Sequence, residues 1–163
     1  MRSTPRAMLI CAMLMSGTDL AFGWSPEWEQ CKDVSNKDTA DRALAACTHI
    51  LNDKTERPNY AVALRNRCAI KYIQGNYDSA LADCNQAINM QPQSDIGYER
   101  RASVWRMKGD DKRAMADYDK ALQINSNNAF ALHARGVLKR RMGDASGGDA
   151  DITRAREIKS DID

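Results

Sequence analysis

Three kinds of residue in this chain could do more than pack: its cysteines, its histidines, and an arginine and an aspartate that recur together. Cys31 and Cys47 are 16 residues apart, and Cys68 and Cys84 repeat that spacing. No C-x-x-C is present, which argues against a thiol–disulfide redox motif or a zinc knuckle. His49 and His133 are the only histidines. Neither has a cysteine, serine or carboxylate at a spacing that would build a triad or a metal site on one helix. With no Gly-rich phosphate loop or zinc-finger pattern either, no catalytic residue, metal site or cofactor is expected, and the chain is not read as an enzyme. Arg67, Arg101 and Arg135 recur in step with Asp83, Asp117 and Asp151. This is the chemistry of a charge ladder, which points to a scaffold.

What must position these residues is visible in the period. Gly75, Gly109 and Gly143 fall 34 residues apart, as do the arginine and aspartate columns, Ala80/Ala114/Gly148 and Ala87/Ala121/Ala155. Five columns in one phase define a stacked array. In the middle copy, residues 96–108 and 112–124 carry apolar or small residues at helical spacing, with Gly109-Asp110 between them. Two helices of about 13 residues joined by so short a turn lie antiparallel.

The pattern of a small residue, an aromatic, G-D/N-Y, an alanine, and Pro92 closing the first copy resembles the tetratricopeptide repeat (TPR). With first positions at Ala61, Asp95 and Ala129, repeats span 61–94, 95–128 and 129–162. Position eight is Cys68, Ala102 and Gly136, and position twenty is Ala80, Ala114 and Gly148. Two departures stand out: position eleven, usually aromatic, is Lys71, Trp105 and Lys139, and the closing proline becomes Ser126 and Ser160. Residues 24–57 form a degenerate hairpin, with helices near 26–34 and 39–51, and 54–59 is an exposed connector. The resemblance implies an all-α, right-handed solenoid of antiparallel helix pairs, about four hairpins in all. Gly147-Gly148 falls inside the last helix, where each glycine costs about 1 kcal/mol relative to alanine.

In each hairpin, residues equidistant from the turn face one another. Cys31 and Cys47 are centred on Thr39, and Cys68 and Cys84 on Asn76, where turns are predicted. The corresponding pairs elsewhere, Ala102/Tyr118 and Gly136/Ile152, read as small-against-large contacts. Disulfides Cys31–Cys47 and Cys68–Cys84 are therefore expected in an oxidising compartment, each stabilising by about 3 kcal/mol in the chain-entropy model. Four buried free thiols are the alternative.

The first 23 residues are of another kind. Arg2 and Arg6 precede an apolar run, and Ala21 and Gly23 supply the small pair that signal peptidase requires. A signal peptide at 1–23 and a secreted or periplasmic protein, with no membrane anchor after cleavage, are expected. Cleavage would remove Arg2, Arg6 and Asp19, lowering the net charge of +2 by one. So small a charge does not suggest a nucleic-acid binder.

Such solenoids line a concave groove with their first helices, so the resemblance implies a protein or peptide partner. The family's groove positions fall on Arg65 and Tyr72, then Glu99, Arg106 and Met107, then Phe130, His133 and Arg140, with Trp28 and Lys32 extending the face. An extended peptide with apolar anchors and a carboxylate suits this surface. The carboxylate clamp of chaperone-binding members is not matched, because its asparagine at position nine is Ala69, Ser103 or Val137 here. The alternative is that these arginines are simply solvated. Rival readings are an accessory subunit of a cell-envelope enzyme and a structural oligomer built through the C-terminal end.

Overall fold

The computed structural model describes residues 26–33 and 39–162. The expected signal segment, 1–23, lies outside them. Among the described residues are eight α-helices: α1 (Pro26–Lys32), α2 (Ala40–Asn52), α3 (Tyr60–Ile73), α4 (Tyr77–Met90), α5 (Asp95–Met107), α6 (Asp111–Ile124), α7 (Ala129–Arg141) and α8 (Ala145–Ile158). They pair as four antiparallel hairpins and stack in chain order. Helix starts are set by side chains: Ser94, Asp110, Asn128 and Asp144 each accept a hydrogen bond from the backbone N–H three residues on. Gly75, Gly109 and Gly143 end the first helices with φ of 78°, 80° and 97°. An L side chain is strained in that conformation, which is why glycine recurs there.

One stack of cores runs through the molecule, and each hairpin core is closed by the first helix of the next unit. Ile70 of α3 packs with Cys31, Ala43 and Ile50 of the first hairpin. Val104 of α5 packs with Cys68, Leu81 and Cys84, and Leu138 of α7 with Ala102, Tyr118 and Leu122. These three aliphatics share one repeat position and are completely buried. Each contributes about 1.5–3 kcal/mol by burial, and none could do so in an isolated hairpin.

The arginine–aspartate ladder is continuous. Arg101 donates from Nε and Nη2 to the two carboxylate oxygens of Asp117, both at 2.8 Å. Arg67 makes the same fork on Asp83 and Arg135 on Asp151. Each arginine's remaining nitrogen then reaches back one unit: Arg101 Nη1 to Asn85 and Arg135 Nη1 to Asp119, both at 2.8 Å, and Arg67 Nη1 to Thr48 at 3.4 Å. The departures at position eleven also join in. Lys71 pairs with Asp83 at 2.7 Å and Lys139 with Asp151 at 2.9 Å, while Trp105 lies under the Arg113 guanidinium instead. Burial opposes ionisation of Asp151, but hydrogen bonds from Arg135 and Lys139 outweigh it and hold its carboxyl below the ordinary range.

Both cysteine pairs are disulfides, with Cα–Cα distances of 4.8 Å for Cys31–Cys47 and 5.5 Å for Cys68–Cys84. All four sulfurs belong to fully buried residues. The first hairpin has no arginine–aspartate fork, having Gln30 and Ala46 at those positions. Its cross-link takes over that role.

The structure corrects one expectation from the sequence and extends two others. The segment Lys54–Asn59 is an exposed connector, as expected, but it is wound into a 3-10 helix that latches the first hairpin. Its Glu56 accepts from Trp28 Nε1 at 3.1 Å and from Asn59 Nδ2 at 2.9 Å. Trp28 is consequently in the core, 6% exposed, and does not extend a groove. Gly148 is more than a propensity penalty: a Cβ there would lie 2.6 Å from the Gly136 carbonyl oxygen, and one at Gly136 equally close to that of Gly148. Two glycines let α7 and α8 touch backbone to backbone.

Two outcomes follow for stability. In a double-mutant cycle, Arg101→Met and Asp117→Leu should each destabilise by about 1.5–3 kcal/mol, with the double variant costing clearly less than the sum. Strict additivity in urea denaturation would show that the fork is not coupled. Replacing Cys31 and Cys47 by alanine should cost about 3 kcal/mol, with amide exchange accelerating first in α1 and α2. Uniform acceleration along the chain would contradict that localisation.

Candidate functional site

The first helices α3, α5 and α7 line one face, and a cleft of about 360 Å³ crosses it. It runs obliquely, from Ala69, Tyr72 and Ile73 at the end of α3, past Glu99, Arg100 and Ser103 in the middle of α5, to Phe130 in the first turn of α7. Tyr72 is braced by Tyr77, with ring centroids 6.2 Å apart. Phe130 stands out at 55% exposure, with the Lys159 ammonium 4.5 Å from its ring centre. Among the described residues, the exposed large hydrophobics Ile96, Met107, Phe130 and Val137 occupy the expected groove positions, and Met90, Met142 and Ile158 lie elsewhere. That concentration is more than the scattered apolar exposure of an ordinary surface.

Of the residues expected in the groove, Tyr72, Glu99 and Phe130 line the cleft. Arg65 stands beside it, donating from Nη1 to Ser94 Oγ at 3.2 Å. Arg106 lies against Tyr118, whose hydroxyl is 3.1 Å from Ser103 Oγ. Met107 is exposed and His133 half-buried on the same set of helices, outside the cleft lining. Arg140 is turned to Asp149, 3.5 Å away on α8. The sequence pattern passes over Arg100, which lines the cleft and donates from Nη1 to the Arg65 carbonyl oxygen at 3.0 Å. Its repeat position is Asn66 in the unit before and Ala134 in the unit after, so no column marks it.

The electrostatics separate two groups of arginines. Those of the ladder have a carboxylate on the fork. Among the described residues, Arg65, Arg100 and Arg106 close no ion pair, and the Nε atoms of Arg65 and Arg106 are buried without a hydrogen-bond partner. Burial pulls the Arg65 and Arg100 guanidiniums below the ordinary arginine range. Of the carboxylates that act on them, Glu99 is half-buried and accepts only a long hydrogen bond, 3.4 Å, from Ser103 among the described residues. Burial pushes its carboxyl above the usual range, with Asp95 adding to the shift, against the opposing pull of Arg100, Ser103 and Arg65. Asp95 itself accepts amide hydrogen bonds from Asn125 and Asn128. The cleft thus combines aromatic and aliphatic walls with guanidiniums that close no ion pair among the described residues, with Glu99 and Asp95 near enough to act on them only at longer range.

Comparison with solved structures decides the architecture. A thermophilic TPR protein of Thermus thermophilus superposes with a TM-score of 0.69, at 18% identity over 82% of this chain and 75% of its own. The chain has the tetratricopeptide-repeat fold. A TPR protein of Parabacteroides merdae superposes with a TM-score of 0.65 at 22% identity, covering 83% of this chain; this chain spans about half of that protein, 53%. The first TPR of Spaghetti (RPAP3), solved with the HSP90 peptide SRMEEVD, gives a TM-score of 0.59 at 20% identity over 63% of this chain and 81% of its own. No protein-family model and no curated protein matches the sequence.

Glu99 also makes a prediction for this repeat solenoid. A carboxyl whose folded pKa is raised contributes stability that is fully present below its unfolded pKa and lost as pH rises through the folded value. Glu99→Gln should therefore gain on the wild type as pH rises above the unfolded glutamate value of about 4.3, the wild type losing stability that the amide does not. Denaturant midpoints across that range measure it. A deficit that grows as pH rises would show instead that the carboxylate is stabilising, and one that is constant at every pH that the Glu99 pKa does not change on folding.

Proposed function

We propose that the protein is an exported interaction module that binds an extended segment of a partner protein across its concave face. The observation that carries this reading is the oblique cleft itself, which is continuous over three successive first helices. At helix spacings of about 10 Å it accommodates roughly 20 Å of ligand, about six extended residues. Tyr72, Ile73 and Phe130 suit an apolar side chain, and the arginines beside Glu99 suit an acidic one. The RPAP3 domain bound to an HSP90 peptide is a case of the same fold holding a peptide. Binding and not chemistry is the economical reading, because the one hydroxyl of the cleft lining that meets a carboxylate, Ser103 on Glu99, does so only at 3.4 Å and no histidine or cysteine lines the cleft beside it.

Export is supported by two fully buried disulfides, which belong to oxidising compartments, together with the N-terminal signal pattern. No helix among the described residues is long and apolar enough to cross a membrane.

The test is capture of partners from the extracytoplasmic fraction, comparing the wild type with Phe130→Glu, a change at an exposed side chain that leaves the core intact. A groove partner should lose tenfold or more in affinity, about 1.4 kcal/mol. Unchanged affinity for every captured protein would move the interaction off this face.

A further inference from the structure

We propose that the cleft takes an acidic ligand group at Arg65 and Arg100 and, in doing so, takes up one proton at Glu99. The inference rests on the concave-face reading and adds the ligand's chemistry and its control. Its basis is the arrangement of charge around the middle of α5. Arg100 lines the cleft and is anchored through one nitrogen to the Arg65 backbone carbonyl, and the Arg65 guanidinium is close enough for its charge to act on that of Arg100. Neither closes an ion pair among the described residues, whereas every ladder arginine does. A carboxylate offers a guanidinium two parallel hydrogen bonds, the contact that the ladder arginines already have.

Glu99 is the competing anion, and it is poorly held. Its only hydrogen bond runs from Ser103 at 3.4 Å, and it is half-buried among apolar cleft walls. A second carboxylate arriving at the same arginines puts two like charges in one desolvated site, which raises the proton affinity of one of them. Glu99 is the one already pushed upward by burial. Once protonated, its hydroxyl can donate to the incoming carboxylate, so the proton comes from solvent and ends in a hydrogen bond to the ligand. The charged or titratable groups facing it are Arg65 from α3, Asp95, Arg100 and Arg106 from its own helix, and Tyr118 from α6. On α7, His133 occupies the matching repeat position and is half-buried.

A cationic ligand would behave in the opposite way. It would pair with ionised Glu99, release a proton and bind more tightly as pH rises, while meeting three arginines that repel it.

The experiment is selection of a random hexapeptide library on the whole protein at about pH 5.5, followed by calorimetry of the best synthetic hexapeptide from about pH 5.5 to 8. Enriched peptides should carry Asp or Glu. Their affinity should weaken as pH rises above the Glu99 pKa of the free protein, by up to about tenfold per pH unit, with close to one proton absorbed per peptide in that range and none below it. Glu99→Gln should flatten this slope in the wild-type and the His133→Gln backgrounds alike, and Arg65→Met or Arg100→Met should erase the preference for acidic peptides. Acidic peptides that bind with no pH slope, a slope that survives Glu99→Gln, or enrichment of basic peptides would overturn the proposal and leave the groove intact. Absence of any enriched peptide, or selected peptides indifferent to Phe130→Glu, would sink the groove reading and this inference with it.

Discussion

Register between neighbouring hairpins depends on one arginine per repeat. Each of Arg67, Arg101 and Arg135 spends two nitrogens on an aspartate of its own hairpin and the third on the second helix of the preceding unit. Hydrophobic burial supplies more free energy, but it is tolerant of sliding, since Ile70, Val104 and Leu138 could pack in more than one way. A planar fork is not tolerant: it fixes angle and distance together. The aspartates are buried, so a misplaced hairpin would leave a charge unsatisfied in the core. Where the fork is missing, in the first hairpin, a disulfide and the Trp28–Glu56 latch hold the geometry.

Fixing the hairpins in this way also fixes the first helices as one face, and that gives the cleft its continuity. The molecule therefore uses arginine in two ways. On the ladder it is neutralised and structural. On the concave face Arg65, Arg100 and Arg106 close no ion pair among the described residues and are partly desolvated, which is costly where Asp95 and Glu99 act only at longer range. Glu99, which could have neutralised them, is held where burial disfavours its charge. Strain of this electrostatic kind is what an open binding surface retains and a closed core does not.

Much of the fold was legible because its causes are periodic. The glycine column marked the left-handed turns, the small residues at positions eight and twenty marked the helix contacts, and the equal spacing of the cysteines located both cross-links. The first hairpin was harder to read, because its latch is a single, unrepeated contact between Trp28 and Glu56. Gly136 and Gly148 looked like tolerated small residues, since sequence shows propensity but not that two backbones meet. At the cleft, Tyr72, Glu99 and Phe130 could be reached by position, while Arg100 could not. Its role comes from a side chain crossing to the Arg65 carbonyl of the unit before, and a functional residue that breaks the repeat leaves no column to follow. Arg140 shows the converse. It shares its column with Tyr72 and Arg106, yet Asp149 on α8 turns it away.

The central claim is that partners meet the face formed by α3, α5 and α7. A photoreactive phenylalanine analogue placed at Phe130 or, separately, at Ala116 on the outer helix α6 tests it in the living cell, since both residues are exposed. Irradiation should yield a discrete covalent adduct from position 130 and none from 116. Adducts from position 116 alone would place the partner on the opposite face and contradict the account.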